Sequence, residues 1–229
     1  HQSPKFIDER TLLVEGKKIS AQKIVIATGQ VPRKIEIKGS KHFKNSDDFL
    51  NLKKLPEHIV FVGGGYIGME FAHMAARAGA KVTVVDTGKR PLHAFDPDLV
   101  KALKKYSESL GITFIFEAKP TSLKKKRKKH ILSYEVKGGI KTIEAHMVFN
   151  TAGRVPALAE LDLDKGNVDF TDSGVVTDDF LQSKSNVNVY ACGDVSDKNL
   201  PLTPLSGRQG YVVAENIING NKKELEVPV

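Results

Sequence analysis

Hydrophobic patterning divides the chain into three stretches. The first, residues 1–47, opens with short alternating runs: Thr11–Val14 and Lys18–Ser20 flank Glu15-Gly16-Lys17, the composition of a hairpin turn. A continuous apolar run, Lys23–Gly29, follows and ends on Thr28-Gly29. Such a run predicts a strand buried on both faces, and Val31-Pro32-Arg33 stops it. Over residues 48–156 the pattern becomes strand–helix–strand, which predicts a parallel sheet with crossover helices. Ile59–Val62, Lys81–Val85 and Ile112–Phe116 read as strands. Tyr66–Ala78 reads as a helix, with apolar residues at Ile67, Phe71, Met74 and Ala78. Asp96–Leu110 reads as a second helix, with Asp96 as N-cap and Pro97 in its first turn. Gly79 and Gly111 stand where C-terminal caps belong. Residues 121–149 alternate in antiparallel fashion around the turn Lys137-Gly138-Gly139, and Val148–Gly153 closes the stretch. The third stretch, 157–229, holds the apolar run Val187–Asp194 and a helix from about Leu205 to Asn219, ended by Gly220.

Composition narrows the class. At 229 residues, 40% hydrophobic and 27% charged, the chain is that of a soluble globular protein of one or two domains. No stretch approaches the apolar length of a membrane span, no signal-peptide pattern opens the chain, and no membrane partner is expected. Its first residue is His1, so it reads as an internal piece or a trimmed chain. The lone cysteine, Cys192, excludes an internal disulfide framework and fits a reducing, cytoplasmic compartment; in an apolar strand it reads as a structural thiol. The net charge of +8 is concentrated at Lys124–Lys129. No nucleic-acid-binding signature accompanies that run, so it reads as a solvated hairpin surface and no nucleic-acid partner is expected. The histidines show no metal-ligand spacing, and no metal site is expected.

One motif carries chemistry by itself. Gly63, Gly65 and Gly68 form GxGxxG between a strand and a helix. The first glycine permits a tight turn, the second lets backbone approach a pyrophosphate, and the third lets helix and strand pack closely. The helix N-terminus offers N–H groups and a positive dipole end to phosphates. Asp86, 18 residues after Gly68, ends the next strand, where a carboxylate can accept hydrogen bonds from a ribose 2′-hydroxyl. That carboxylate repels a 2′-phosphate, so NAD(H) is favoured over NADP(H), with Lys89 and Arg90 close enough to soften the preference.

Further motifs then fall into one order: IVIATG (24–29), VGGGYIGMEF (62–71), NTAGRVPA (150–157) and VYACGDV (189–195). Together they resemble the flavoprotein pyridine nucleotide-disulfide oxidoreductases, the glutathione reductase, dihydrolipoamide dehydrogenase and mercuric reductase family. The resemblance covers nearly the whole chain. It implies an α/β fold in which a Rossmann-like NAD(P)-binding domain (48–156) is inserted between two pieces (1–47 and 157–229) of a second Rossmann-like domain that binds FAD. It implies that Thr28, Gly29 and Asp194 hold the flavin nucleotide and that Leu202 and Thr203 lie near the flavin ring. Gly153 and Arg154 would line the cofactor cleft. Tyr66 would be a lid over the nicotinamide, and Glu70, one helical turn on, would lie near the nicotinamide amide or a flavin-contacting lysine. The implied reaction passes hydride from NAD(P)H to FAD and electrons to a disulfide or related acceptor, in a homodimeric parent.

The chain departs from that pattern in three places. It has no N-terminal GxGxxG for the adenosine half of FAD, no CxxxxC redox pair and no C-terminal interface domain with its His-Glu pair; Leu225–Val229 resembles the strand that would lead there. A disulfide needs two thiols in reach, so Cys192 cannot replace the pair. The expectation is a part of such an enzyme that binds NADH, holds FAD weakly or not at all, and does not complete turnover. An NADH oxidase or quinone reductase on the same scaffold, and a non-catalytic dinucleotide-binding module, remain open at this point.

Overall fold

The computed structural model describes residues 4–198 and 202–226. In chain order the elements are β1 (Lys5–Asp8), β2 (Thr11–Val14), β3 (Lys17–Ser20), β4 (Ile24–Ile26), β5 (Gln30–Pro32), α1 (Ser46–Leu50), β6 (His58–Val62), α2 (Tyr66–Arg77), β7 (Lys81–Val85), α3 (Pro97–Ser109), β8 (Ile112–Ile115), β9 (Lys119–Lys126), β10 (Lys129–Val136), β11 (Gly139–Ala145), β12 (Met147–Asn150), β13 (Arg154–Pro156), β14 (Phe170–Thr171), β15 (Gly174–Val175), β16 (Val189–Ala191) and α4 (Thr203–Asn219). They form two compact units: residues 32–153, and residues 1–31 together with 154–229. One unit is thus inserted in the sequence of the other. Among the described residues, no helix is long and apolar enough to cross a membrane.

The 32–153 unit is built on a four-stranded parallel sheet of order β12-β6-β7-β8. Parallel strands covered on both faces need apolar residues at successive positions, and Ile59, Val60, Phe61 and Val62 of β6 are all buried. One face packs on α1 and α2: Phe49 stacks on Phe71 at 4.2 Å between ring centroids and meets Phe149 edge-on at 5.4 Å. Truncating a ring in such a cluster costs about 3–5 kcal/mol. The buried face of α2 is Gly68, Met69, Phe71, Ala72 and Ala75. Met74 is exposed, as is Ala78 beyond the helix end, contrary to the apolar spacing; small residues let the helix approach the sheet and take the burial instead. The other face packs on the antiparallel sheet β11-β10-β9 through Val60, Val62, Leu123, Leu132 and Val148. Ile35, Ile37 and Phe43 join this same cluster, which is why residues 32–47 belong to this unit and not to the first stretch. Lys124–Lys129 forms the exposed tip of the β9–β10 hairpin, with Arg127 at φ +55°.

The other unit combines the meander β1-β2-β3 with the parallel pair β16-β4. Phe6, Ile24, Ile26, Val189 and Ala191 centre one core cluster; Leu181, Tyr190, Cys192, Val212 and Val213 centre a second beneath α4. The apolar run at 23–29 supplies a strand of only three residues. Val31-Pro32 does not simply stop the chain but enters β5, which pairs with β13. The end of the strand expected at 225–229, from Val227 onward, lies outside the described residues, as does Leu200-Pro201 ahead of α4.

Candidate functional site

The glycine turn follows β6 at the carboxyl edge of the parallel sheet, where open α/β folds bind ligands. Its three glycines are required for different reasons. Gly63 has φ +110°, and a Cβ there would come within 2.4 Å of the Thr151 carbonyl oxygen. A Cβ at Gly68 would meet the Gly63 carbonyl oxygen at 2.2 Å. Both positions are filled by the protein's own backbone. Gly65 is not: among the described residues a Cβ there would meet only the Thr151 carbonyl oxygen, at 4.0 Å, and its φ of −72° suits any residue. Gly65 is also the N-cap of α2 and contributes no side-chain cap, so the first-turn N–H groups are left for solvent or a ligand. A close-approaching anion is what this geometry accommodates and what a side chain would obstruct.

Asp86 closes the turn. Its side chain is buried, and Oδ2 accepts the Gly64 N–H at 2.5 Å while Oδ1 accepts the Gly88 N–H at 2.7 Å. A buried carboxylate needs such donors. Arg90 does not face this carboxylate with its charge. Its guanidinium donates to the carbonyls of Leu92, His93 and Phe95. Lys89 is exposed. Tyr66, the first residue of α2, is 50% exposed, and Glu70 one turn on is exposed. Gly153, at φ +100°, accepts the Arg33 N–H on its carbonyl at 3.0 Å.

The other unit holds the remaining expected positions. The Thr28 hydroxyl donates to the Ala157 carbonyl at 2.9 Å, and the Gly29 carbonyl accepts the Ala157 N–H at 2.9 Å. Arg154 donates to the Gln30 carbonyl. Asp194, half-buried, follows β16 and the Gly193 turn, whose N–H donates to the buried Gln209 side chain at 2.6 Å. Leu202 is the N-cap of α4 and Thr203 its first residue, both exposed. Burial pushes the Cys192 thiol pKa up. Among the described residues, no cluster of His, Cys, Asp or Glu is placed to hold a metal.

Two contributors escape the motif. The Thr151 hydroxyl donates to the Gly63 carbonyl at 2.7 Å and its amide donates to the Val62 carbonyl at 2.8 Å, so it fixes the turn from β12. His93 Nε2 lies 3.3 Å from Asp86 Oδ1. Thr151 sits inside the NTAG motif, but nothing local tells that it reaches Gly63; His93 has no sequence signal at all.

This arrangement, with the inserted order of the two units, defines a flavoprotein disulfide reductase type of fold. The HOCl-induced flavoprotein disulfide reductase RclA from Escherichia coli superposes with a TM-score of 0.85 at 28% identity, over 97% of this chain and 51% of that one. The family model described as pyridine nucleotide-disulphide oxidoreductase matches residues 1–210, and the chain belongs to that family. Similar proteins include a dihydrolipoyl dehydrogenase of Staphylococcus aureus, 35% identical over 96% of this chain and 48% of the relative. A glutathione reductase of Nostoc sp. is 32% identical over 96% and 50%. A mercuric reductase of Lysinibacillus sphaericus is 28% identical over 98% and 41%. The chain spans about half the length of these relatives.

Proposed function

We propose that the 32–153 unit binds NADH in preference to NADPH, and that the whole protein transfers reducing equivalents from it through FAD to a disulfide-type acceptor. The observation that carries this reading is Gly65: the protein's own packing leaves its Cβ position open, so a dinucleotide pyrophosphate crossing the α2 N-terminus is what calls for glycine there. Gly63 and Gly68 shape the turn, Asp86 accepts from the adenosine ribose, and its charge disfavours a 2′-phosphate. Tyr66 and Glu70 lie on the face that would meet the nicotinamide. In the other unit, Thr28, Gly29, Arg154, Asp194, Leu202 and Thr203 are the chain's share of a flavin site, with Gly153 at the join of the pieces. When bound, the nicotinamide supplies hydride and the flavin a two-electron store. The chain's residues bind and orient these groups. The acceptor class is supported by the relatives named for lipoamide and glutathione and by the neighbour named as a disulfide reductase.

The test titrates NADH and NADPH against the 229-residue protein, Asp86→Ser and Asp86→Asn. Losing a hydrogen bond to a charged group costs about 1.5–3 kcal/mol, so NADH affinity should fall roughly tenfold or more and the preference should narrow. Variants that still melt like the wild type but keep an unchanged preference would remove Asp86 from the site.

A further inference from the structure

The Asp86 carboxylate has a partner that the proposed dinucleotide role does not use. His93 Nε2 stands 3.3 Å from Asp86 Oδ1, the oxygen that also takes the Gly88 N–H. The imidazole lies against Gly88, where a Cβ would come within 2.0 Å of His93 Cε1, so glycine is what lets the ring reach the carboxylate. Arg90 holds this loop by donating to the carbonyls of Leu92, His93 and Phe95. The Asp86 side chain is 9% exposed and the His93 side chain 56%. A half-exposed ring thus stands beside a buried carboxylate, at the same oxygen that Gly88 holds. A carboxylate offers about four lone-pair directions; the Gly64 and Gly88 N–H groups take two, and His93 takes a third when its Nε2 carries a proton.

We propose that His93 is a specificity-determining residue of this site, a proton-operated shield on Asp86. Uncharged, it leaves the carboxylate's negative charge facing the ribose 2′ position and disfavours a 2′-phosphate. Protonated, it neutralises that charge and presents a cation to the same position. Discrimination against a 2′-phosphorylated dinucleotide therefore narrows as pH falls. The other charged groups around the pair are Lys89 and Arg90 on the same loop and Glu117 beyond β8, whose N–H donates to the Gly88 carbonyl at 2.9 Å. The glycine turn brings no titratable side chain before Tyr66. Histidine is the side chain whose charge ordinarily changes between pH 5 and 8. The proposal rests on Asp86 as the ribose acceptor.

The experiment measures dissociation constants of NADH and NADPH at about pH 8.5 and about pH 6 for the 229-residue protein, His93→Gln and His93→Arg. The ratio of the NADPH to the NADH constant should fall about fivefold on acidification in the wild type and less than about twofold in His93→Gln. His93→Arg should show the lower ratio at both pH values. A 2′-phosphate itself gains a proton near pH 6, and the His93→Gln protein isolates that contribution. An equal pH response in wild type and His93→Gln overturns the shield while leaving Asp86 in place. A wild type that binds neither dinucleotide overturns the reading of Asp86, and the shield with it.

Discussion

The Gly63 turn and the Thr28-Gly29 turn look alike in sequence, since each ends an apolar run at a glycine. Their surroundings differ. At Gly63 and Gly68 an added Cβ would strike backbone at 2.4 and 2.2 Å; among the described residues nothing lies within 4 Å at Gly29, and nothing nearer than the Ser206 side chain at 3.6 Å at Gly193. β6 is flanked by β12 and β7, whereas among the described residues the three-residue β4 has only β16 beside it. The first turn is thus shaped by its own sheet before any ligand arrives. Among the described residues, the second needs glycine for its φ of +66° and not for packing. A strand-then-glycine signature names the place of a turn but not what holds it.

Substitutions can sharpen or break that contrast. Gly63→Ala and Gly68→Ala should each cost about 3 kcal/mol or more through backbone collision, lowering the melting temperature by roughly 6–12 °C. Gly29→Ala should cost only the left-handed penalty of about 1–2 kcal/mol. Equal losses in a calorimeter would break the comparison. Gly65→Ala should separate stability from binding. Unfolding should shift by only about 1 kcal/mol, the cost of alanine at a helix N-cap, while dinucleotide affinity falls about tenfold, because the new methyl stands where the pyrophosphate passes. A Gly65→Ala protein with wild-type affinity would leave Gly65 without a ligand role.

The smallest effect is acid sensitivity. Burial lowers the pKa values of His58, His73 and His130, all in the 32–153 unit, below the ordinary 6.5. The folded unit then binds fewer protons than the unfolded chain, so its stability is full above about pH 6.5 and falls as pH drops through the lowered values. In the other unit, hydrogen bonds from Lys165 and Lys198 hold Asp162 and Asp179 below their ordinary 3.8, so that small contribution lasts to lower pH. Hydrogen exchange corrected for intrinsic rates, compared at about pH 7.5 and about pH 5.5, should show the 32–153 unit losing protection first. Parallel loss in both units would contradict this.

The strand, turn, helix and acid of the candidate site were legible because they are local: Gly63 to Asp86 is one βαβ unit with fixed spacing. The parallel sheet followed from the same alternation. What was not legible depends on distant partners. Thr151 acts across 88 residues through its hydroxyl on the Gly63 carbonyl. His93 needs the absence of a side chain at Gly88 before it can touch Asp86. Met74 misled because large apolar residues carry the periodicity while Gly68, Ala72 and Ala75 carry the contact. Helix α1 gives no periodic signal although Asn45 and Asp48 form a capping box, each side chain accepting the other's backbone N–H at 2.9 Å. Its five residues are too short to show a period.

The Thr151 contact has a consequence for the order of assembly. Residue 63 leaves a ribosome long before residue 151, and late, long-range pairings are slow to form. The Thr151 brace forms only when β12, the last strand of that sheet in sequence, docks beside β6. A nascent or clipped unit lacking that strand would present the glycine sequence without its shape. The capacity to hold a dinucleotide then doubles as a certificate that the unit's sheet is complete.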